Sequence, residues 1–417
     1  MVMEIPEGFK KTEVGVIPVD WEVKKLGEIA LLERGKFSAR PRNDPKYFGG
    51  DIPFIQTGDV TKSNGIISTY YQSLNEQGLR VSKLFPPNTL FFTIAANIGD
   101  VGIAPFETAC PDSLIAITPG MKVDKKWFFH ILKSRKKSFE GLATQNAQLN
   151  INLEKLQPYL LQLPSLPEQK AIALSLSDTD ALIAACDRAI TKKRNIKQGA
   201  MQQLLTGKMR LPGFSGEWEV KKLENLSSEI GDGIHATPDY VDSSDFYFIN
   251  GNNLIRNSIQ ITDNTKCISK EEYYKYKNKL NDKTILLSIN GTIGNIAFFR
   301  DEKVILGKSV AYINIHIFTY KYYIFYVLQT HTTSCYFEDE LTGSTIRNLS
   351  LKSIRNTPVS IPPTLEEQKA IAQILSDMDA EIAALEKKRD KYKCIKQGMM
   401  QELLTGKTRL KINDDTT

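Results

Sequence analysis

Glu168-Gln-Lys-Ala-Ile-Ala173 returns as Glu367-Gln-Lys-Ala-Ile-Ala372, and from Ser165 to Leu211 the two copies run on without a gap at a constant offset of 199. Most positions are identical, which marks a duplicated unit. Each copy reads as one long helix. Ser165 and Thr364 stand three residues before Glu168 and Glu367, the capping-box spacing in which side chain and backbone satisfy each other's orphan groups. Gly207 and Gly406 close the pattern as left-handed caps. About 40 residues at 1.5 Å rise predict a rod of about 60 Å. Ile371, Leu375, Met378, Ile382 and Leu385, answered by Ile172, Leu176, Thr179, Ile183 and Cys186, keep the alternating steps of four and three that form a coiled-coil seam. Arg389 and Lys396 then fall on that seam, so the register drifts. Gly199 and Gly398, in the shared Ile-Lys-Gln-Gly, each cost up to about 1 kcal/mol in a helix interior and predict the close approach of another backbone.

Working outward, Trp21-Glu-Val-Lys-Lys-Leu26 recurs letter for letter as Trp218-Glu-Val-Lys-Lys-Leu223. Trp21 and Trp218 read as core packing at a strand edge. The first half is preceded by a Gly- and Pro-punctuated leader through Pro18, the second by the linker Leu211–Glu217. Between these starts and the rods the halves diverge but keep one order of signals. A loop (34–44 against 231–240) leads to a short apolar strand ending in a turn (52–59 against 246–253). Paired strands follow around Ile98-Gly99 and Ile293-Gly294, then a strand and helix (114–118 and 126–132 against 310–315 and 321–328). A polar connection (from Thr144 and from Thr342) closes each half. Short strands bounded by Gly, Pro and Asn predict mixed, β-rich globules. The expected fold is α+β. Residues 1–162 and 209–361 form two globules, 163–208 and 362–408 two long antiparallel helices in a coiled coil, and 409–417 a flexible tail, in a pseudo-twofold internal repeat.

A chain of 417 residues with 41% hydrophobic and 24% charged content is an ordinary globular composition. The net charge of +6 leans mildly toward a polyanionic partner. Five cysteines without C-x-x-C spacing and no signal peptide point to a reducing cytoplasm. The most apolar window, Val310 to Leu328, is broken by Asn314, His316 and Lys321, too polar for a membrane span.

Alternating unlike globules and near-identical long helices, with Trp-Glu-Val-Lys-Lys-Leu at each globule entry, Pro-x-Leu-(Pro/Glu)-Glu-Gln-Lys at each helix entry and Leu-Leu-Thr-Gly-Lys at each exit, resemble the specificity subunit of a type I restriction-modification system over essentially the whole chain. The resemblance implies a non-catalytic subunit whose two globules each read half of a bipartite sequence in double-stranded DNA, while the helices set the spacer. It implies docking of two modification subunits, which bind S-adenosylmethionine, and of two restriction subunits, which use ATP and Mg. No cofactor, metal or catalytic residue is expected on this chain.

The residues agree. Gly307-Lys-Ser309 and Gly406-Lys-Thr408 lack the leading glycine of a phosphate loop, which is Glu302 in one and Gln401 in the other. No amino-methyltransferase motif is found, and His130, His235, His316 and His331 lack metal-ligand spacing. Two other readings stay open: a coiled-coil scaffold whose globules bind protein, and a self-sufficient modification enzyme with unrecognised motifs.

If DNA is the partner, phosphate contacts supply affinity and a few side chains reach base edges. Arg34, Lys36, Arg40, Arg42 and Lys46 with Tyr47 concentrate cations in one loop; Gly233, His235, Thr237 and Tyr240 occupy the matched loop. Asn250, Asn252 and Asn253 offer amides suited to adenine, with Gln56, Thr57 and Asp59 in the equivalent turn. The Lys- and Tyr-rich run Lys270 to Lys283 reads as a charged amphipathic face, with a track for a phosphate backbone as the alternative. Partner contact falls to Ile196, Gln198, Gly199, Leu204 and Leu205 and their copies Ile395, Gln397, Gly398, Leu403 and Leu404, with core packing as the competing explanation.

Overall fold

The computed structural model describes residues 5–63, 65–143, 150–277, 279–343 and 347–411. The polar connections 144–149 and 344–346, Asn278 within the Lys- and Tyr-rich run and the tail from 412 lie outside the described residues. Two compact units emerge, Met1–Asp187 with Lys387–Thr417 and Arg188–Glu386. Each contains one globule, the beginning of one long helix and the end of the other.

In the first unit a four-stranded antiparallel sheet has the order Ala30–Arg34, Leu114–Pro119, Thr89–Thr93, Val101–Ala104. Its two central strands are apolar at successive positions because both faces are covered. Alternate side chains point to opposite faces: Leu90, Phe92, Ile115 and Ile117 enter the core beneath the helix Lys125–Ser134, while Phe91, Leu114 and Ala116 enter a second core. That second core underlies a smaller sheet in which Phe48–Phe54 pairs in parallel with Thr108–Ala109. The entry strand Glu22–Lys25 pairs with Leu160–Leu163, the last strand before the helix.

The second unit repeats the plan. Ser227–Asp232, Val310–Ile315, Thr284–Ser288 and Ile296–Phe298 form the antiparallel sheet, Tyr247–Ile249 pairs in parallel with Val304–Leu306, and Glu219–Lys222 pairs with Pro358–Ile361. Ile285, Leu287, Ile313 and Ile315 face one core and Leu286, Val310 and Tyr312 another.

The long helices span Leu166–Leu204 and Leu365–Leu403, each 39 residues. Within the first unit Asp180 pairs with Lys396 at 2.6 Å and Asp187 with Arg389 at 3.5 Å, one number rising as the other falls, so the helices run antiparallel. Within the second unit Lys197 meets Asp379 at 2.6 Å and Lys193 meets Glu381. The expected drift of the seam is therefore not seen: Arg389 and Lys396 keep the seam positions as paired cations, 20% and 12% exposed, while Ile395 is 42% exposed. Ile172 and Leu176, and their copies Ile371 and Leu375, are fully buried against their own globules as well as the seam.

Three expectations change. Ser165 Oγ and Thr364 Oγ1 do accept from Glu168 N and Glu367 N, at 3.4 and 3.3 Å. The carboxylates, however, do not serve the reciprocal half of a capping box and turn inward. Glu168 accepts from Trp21 Nε1 at 2.9 Å and from Arg409, which also forks onto Asp20 at 2.8 and 2.9 Å. Glu367 accepts from Arg210 at 2.9 and 2.8 Å, whereas Trp218 Nε1 is buried without a partner. Trp21 is therefore a bonded residue and not packing alone. Second, beyond their own helix turns nothing among the described residues lies within 4 Å of where a Cβ would stand on Gly199 or Gly398, so no described backbone of this chain approaches them. Third, Leu204, Leu205, Leu403 and Leu404 are 1–5% exposed, in the globule cores. Their side chains are spent on the fold, which removes them from the partner surface. Gly207 and Gly406 take φ of +71° and +73° as expected, and each lies against the entry tryptophan, Trp218 or Trp21.

Candidate nucleic-acid interface

In each globule the loop expected to meet DNA is reached past one glycine. A Cβ on Gly35 would meet Pro111 O at 2.2 Å and Cys110 Sγ at 2.5 Å; on Gly233 it would meet Leu306 O at 2.2 Å. Gly233 is thus buried scaffold and cannot touch a ligand, contrary to its expected role. Beyond Gly35, Arg34 donates through Nε to Asp112 O at 2.7 Å, and Arg42 forks onto the Asp112 carboxylate at 2.9 and 2.8 Å. The Arg42 guanidinium holds the Asp112 carboxyl below its ordinary range. Lys46 pairs with Asp44 at 2.9 Å and lies 4.9 Å over the Tyr47 ring, itself edge-on to Phe37. The charges of Arg42 and Lys46 are therefore matched inside the loop. Lys36 and Arg40 are exposed cations with no described carboxylate within ion-pair distance, and Arg34, also exposed, adds its charge to that of Arg42 on Asp112.

The two turns expected to present amides use most of them internally. Asn250 N donates to Asn253 Oδ1 at 2.9 Å, Asn253 Nδ2 to Gln260 O at 3.0 Å, and Ser309 Oγ to Asn250 Oδ1 at 3.0 Å. In the first globule Gln56 N donates to Asp59 Oδ2 at 2.9 Å and the Gln56 amide to Gln72. Short polar side chains at a helical start satisfy nearby backbone groups before any ligand arrives. Asn252 is exposed and Thr57 half-buried, and neither is engaged in these bonds. In the matched loop His235 pairs with Asp232 at 2.9 Å, Thr237 is exposed, and Tyr240 is 43% exposed with Lys266 at 5.7 Å over its ring.

Beside each turn stands a loop that motif spacing did not single out. Thr93 Oγ1 donates to Asn97 O and accepts from Asp100 N at 2.9 Å; Ser288 Oγ donates to Thr292 O and accepts from Asn295 N at 2.8 Å. The same clamp thus shapes residues 94–99 and 289–294. Ala96 takes φ +63° where Gly291 takes +72°, so the first globule keeps the loop shape even with a residue for which that conformation costs on the order of 1 kcal/mol. The clamp is common to both globules; the exposed tips, Ala96-Asn97 and Gly291-Thr292, differ. Gly251 adjoins this loop, 3.6 Å from Asn290 O to the place of its Cβ. The signal in the sequence was a hydroxyl residue ending each central strand six residues before a glycine.

Two globules with one backbone plan, shared internal clamps and unlike exposed tips define a duplicated recognition protein. Residues 18–195 and 215–392 each match the type I restriction modification DNA specificity domain, and the chain belongs to that family. It is 27% identical to the putative type I restriction enzyme MjaX specificity subunit of Methanocaldococcus jannaschii over 97% of both chains. It is 24% identical to the EcoBI specificity subunit of Escherichia coli, over 81% of this chain and 75% of that one. The crystal structure of the type I system S subunit from M. genitalium shares the fold with a TM-score of 0.58 at 15% identity, covering 96% of this chain and 98% of that one. Among the described residues no group of three or more His, Cys, Asp or Glu is placed to hold a metal ion, and no helix is long and apolar enough to cross a membrane.

Proposed function

We propose that this chain is the non-catalytic DNA-reading subunit of a type I restriction-modification enzyme, each globule reading one half of a bipartite target and the long helices setting the number of unread base pairs between. The observation that carries the reading is the double match to the specificity domain, with internal clamps kept and exposed tips changed between copies. Divergent tips on one frame suit two different half-sites. Base-edge contacts fall to Asn97 and Thr57 in the first globule and to Thr292, Asn252, His235 and Thr237 in the second; phosphates fall to Arg34, Lys36 and Arg40, with Tyr240 as a stacking surface. Mapping methylated adenines in cells with and without the gene tests this. A bipartite motif that vanishes with the gene is expected, and an unchanged methylome would refute it. Exchanging residues 21–162 for the globule of another family member is expected to alter one half of that motif and leave the other intact.

Modification subunits, which would carry S-adenosylmethionine, dock by this reading on the helices, and restriction subunits with ATP and Mg complete the enzyme, two of each. Support comes from the Ile-Lys-Gln-Gly repeats. Their lysines are tied to Asp379 and Asp180, while Ile196 and Ile395 are 46% and 42% exposed and Gln198, Gly199, Gln397 and Gly398 lie open beside them. The double variant Ile196→Asp with Ile395→Asp is expected to lose co-purifying modification subunit while unfolding within about 1 kcal/mol of the unaltered chain, as surface changes do. Retained co-purification would exclude this surface.

A further inference from the structure

The second globule has a polar cleft beside its clamped loop. The strands Leu254–Ile255 and Ser258–Ile259 are joined by a two-residue turn whose residues, Arg256 and Asn257, both take left-handed φ, +50° and +65°. Such turns favour Asn and Gly, so Arg256 holds a conformation its side chain does not ask for. The turn faces the end of the clamped loop, and Arg256, Asn257, Gly294, Asn295 and Gln329 line a cleft of about 190 Å³ between them. At roughly 30 Å³ for each water in the liquid, that is room for a group several waters in size.

The lining contains a guanidinium, three side-chain amides and no carboxylate, and Arg256 has no acidic partner within ion-pair distance among the described residues. The backbone oxygens nearby are occupied: Asn257 O accepts from Phe298 N at 3.3 Å and Asn295 O from Ser288 N at 2.8 Å. A guanidinium can only donate; Gln329 Nε2 gives one N–H to Phe325 O at 3.2 Å, and its second N–H and those of Asn257 and Asn295 can stand beside the guanidinium. Such a lining suits an anion with several acceptor oxygens.

The first globule shows the opposite solution at the equivalent place. Asp100 N bonds the clamping hydroxyl of Thr93 as Asn295 N bonds that of Ser288, so Asp100 stands where Asn295 does. Its carboxylate is already joined to Lys136. That position is neutralised from within; in the second globule the neutral Asn295 stands there and lines the cleft.

We propose that this cleft seats a backbone phosphate of the DNA flanking the second half-site, with Arg256 as its cation. The proposal rests on the reading that this globule binds DNA. The test uses the complete complex with its modification subunits and a duplex carrying the mapped target, with affinity measured from about 50 to 200 mM salt. Arg256→Gly removes the charge and also relieves the left-handed turn, so the fold is not at risk. It is expected to make the slope of log K against log salt shallower by about 0.9, the value of one phosphate contact, and to leave the methylated motif unchanged. Arg256→Lys should recover most of the slope. Asn295→Asp, which installs the carboxylate of the first globule without its lysine, should weaken binding about tenfold at low salt. An unchanged slope in Arg256→Gly overturns the proposal, and so does a relaxed base preference in the second half-site, which would make Arg256 a base reader. Salt-independent binding by the unaltered complex would instead overturn the DNA reading beneath it.

Discussion

Lowering the pH from 7 to 4 is expected to remove roughly 3 kcal/mol from the stability of the first unit through one side chain, His130. Its ring is 2% exposed on the helix Lys125–Ser134, and its Nδ1 is buried without a partner. Burial disfavours the charged ring first; Lys396, Lys133 and Lys126 add repulsion, Asp180 offsets part of it, and the pKa falls from 6.5 to about 4. As the pH drops below about 6.5 the unfolded chain takes up a proton here and the folded chain declines it until about 4. Stability is thus complete above that window, falls through it and levels below it. The gap, at roughly 1.4 kcal/mol per pH unit, gives the figure above.

The second unit supplies the control. Asp124 N and Tyr320 N donate to Gln169 and Gln368, one at the same place in each unit, which aligns His130 with Tyr326. Tyr326 donates to Asp379 at 2.9 Å beneath Lys197, the copies of Asp180 and Lys396. His130→Tyr is therefore expected to abolish most of the acid loss in urea titrations at pH 7 and 4.5, followed by the fluorescence of Trp21 and Trp127. Equal losses in variant and parent would show that another group governs the window.

Glu168→Ala is expected to cost the first unit about 3 kcal/mol, since removing one member of a buried charged network strands the others. Glu168 is 1% exposed and is the acceptor of Trp21 Nε1 as well as of Arg409. Arg409 keeps Asp20, whose carboxyl it holds below the ordinary range, so the guanidinium is not wholly abandoned. The indole N–H is. The cleaner comparison is between tryptophans: Trp21→Phe is expected to cost about 1–2 kcal/mol more than Trp218→Phe, because the second replaces an N–H that has no acceptor. Denaturant midpoints of the two variants measure the difference, and equal midpoints would mean that the Trp21 bond contributes nothing net.

The architecture was legible because duplication and hydrophobic period are both one-dimensional signals. The constant offset, the strands around Ile98 and Ile293 and the helices after Leu114 and Val310 all stand close to where spacing predicts them. The site was less so, since one residue type serves several purposes. Glu168 fits a capping box by spacing, yet only the folded chain shows that Trp21 and Arg409 claim its carboxylate. By sequence, Asn250, Asn253, Gln56 and Asp59 are expected to meet bases because their side chains have the donors and acceptors for it, but their own turns take these groups first. Gly233 shares a loop with exposed residues and is nevertheless walled in by Leu306. Thr93 and Ser288 look like ordinary strand ends until the hydroxyls are seen to shape the following loops.

The division of the helices between units also bears on biosynthesis. The second unit is one uninterrupted segment, Arg188–Glu386, whereas the first needs Lys387 onward to supply Leu403, Leu404 and Arg409 to a core begun at Ile17. On the ribosome the amino-terminal globule therefore waits for about 200 further residues, roughly 10 to 40 s at ~5–20 residues per second. The unit whose synthesis starts second is the first able to finish folding.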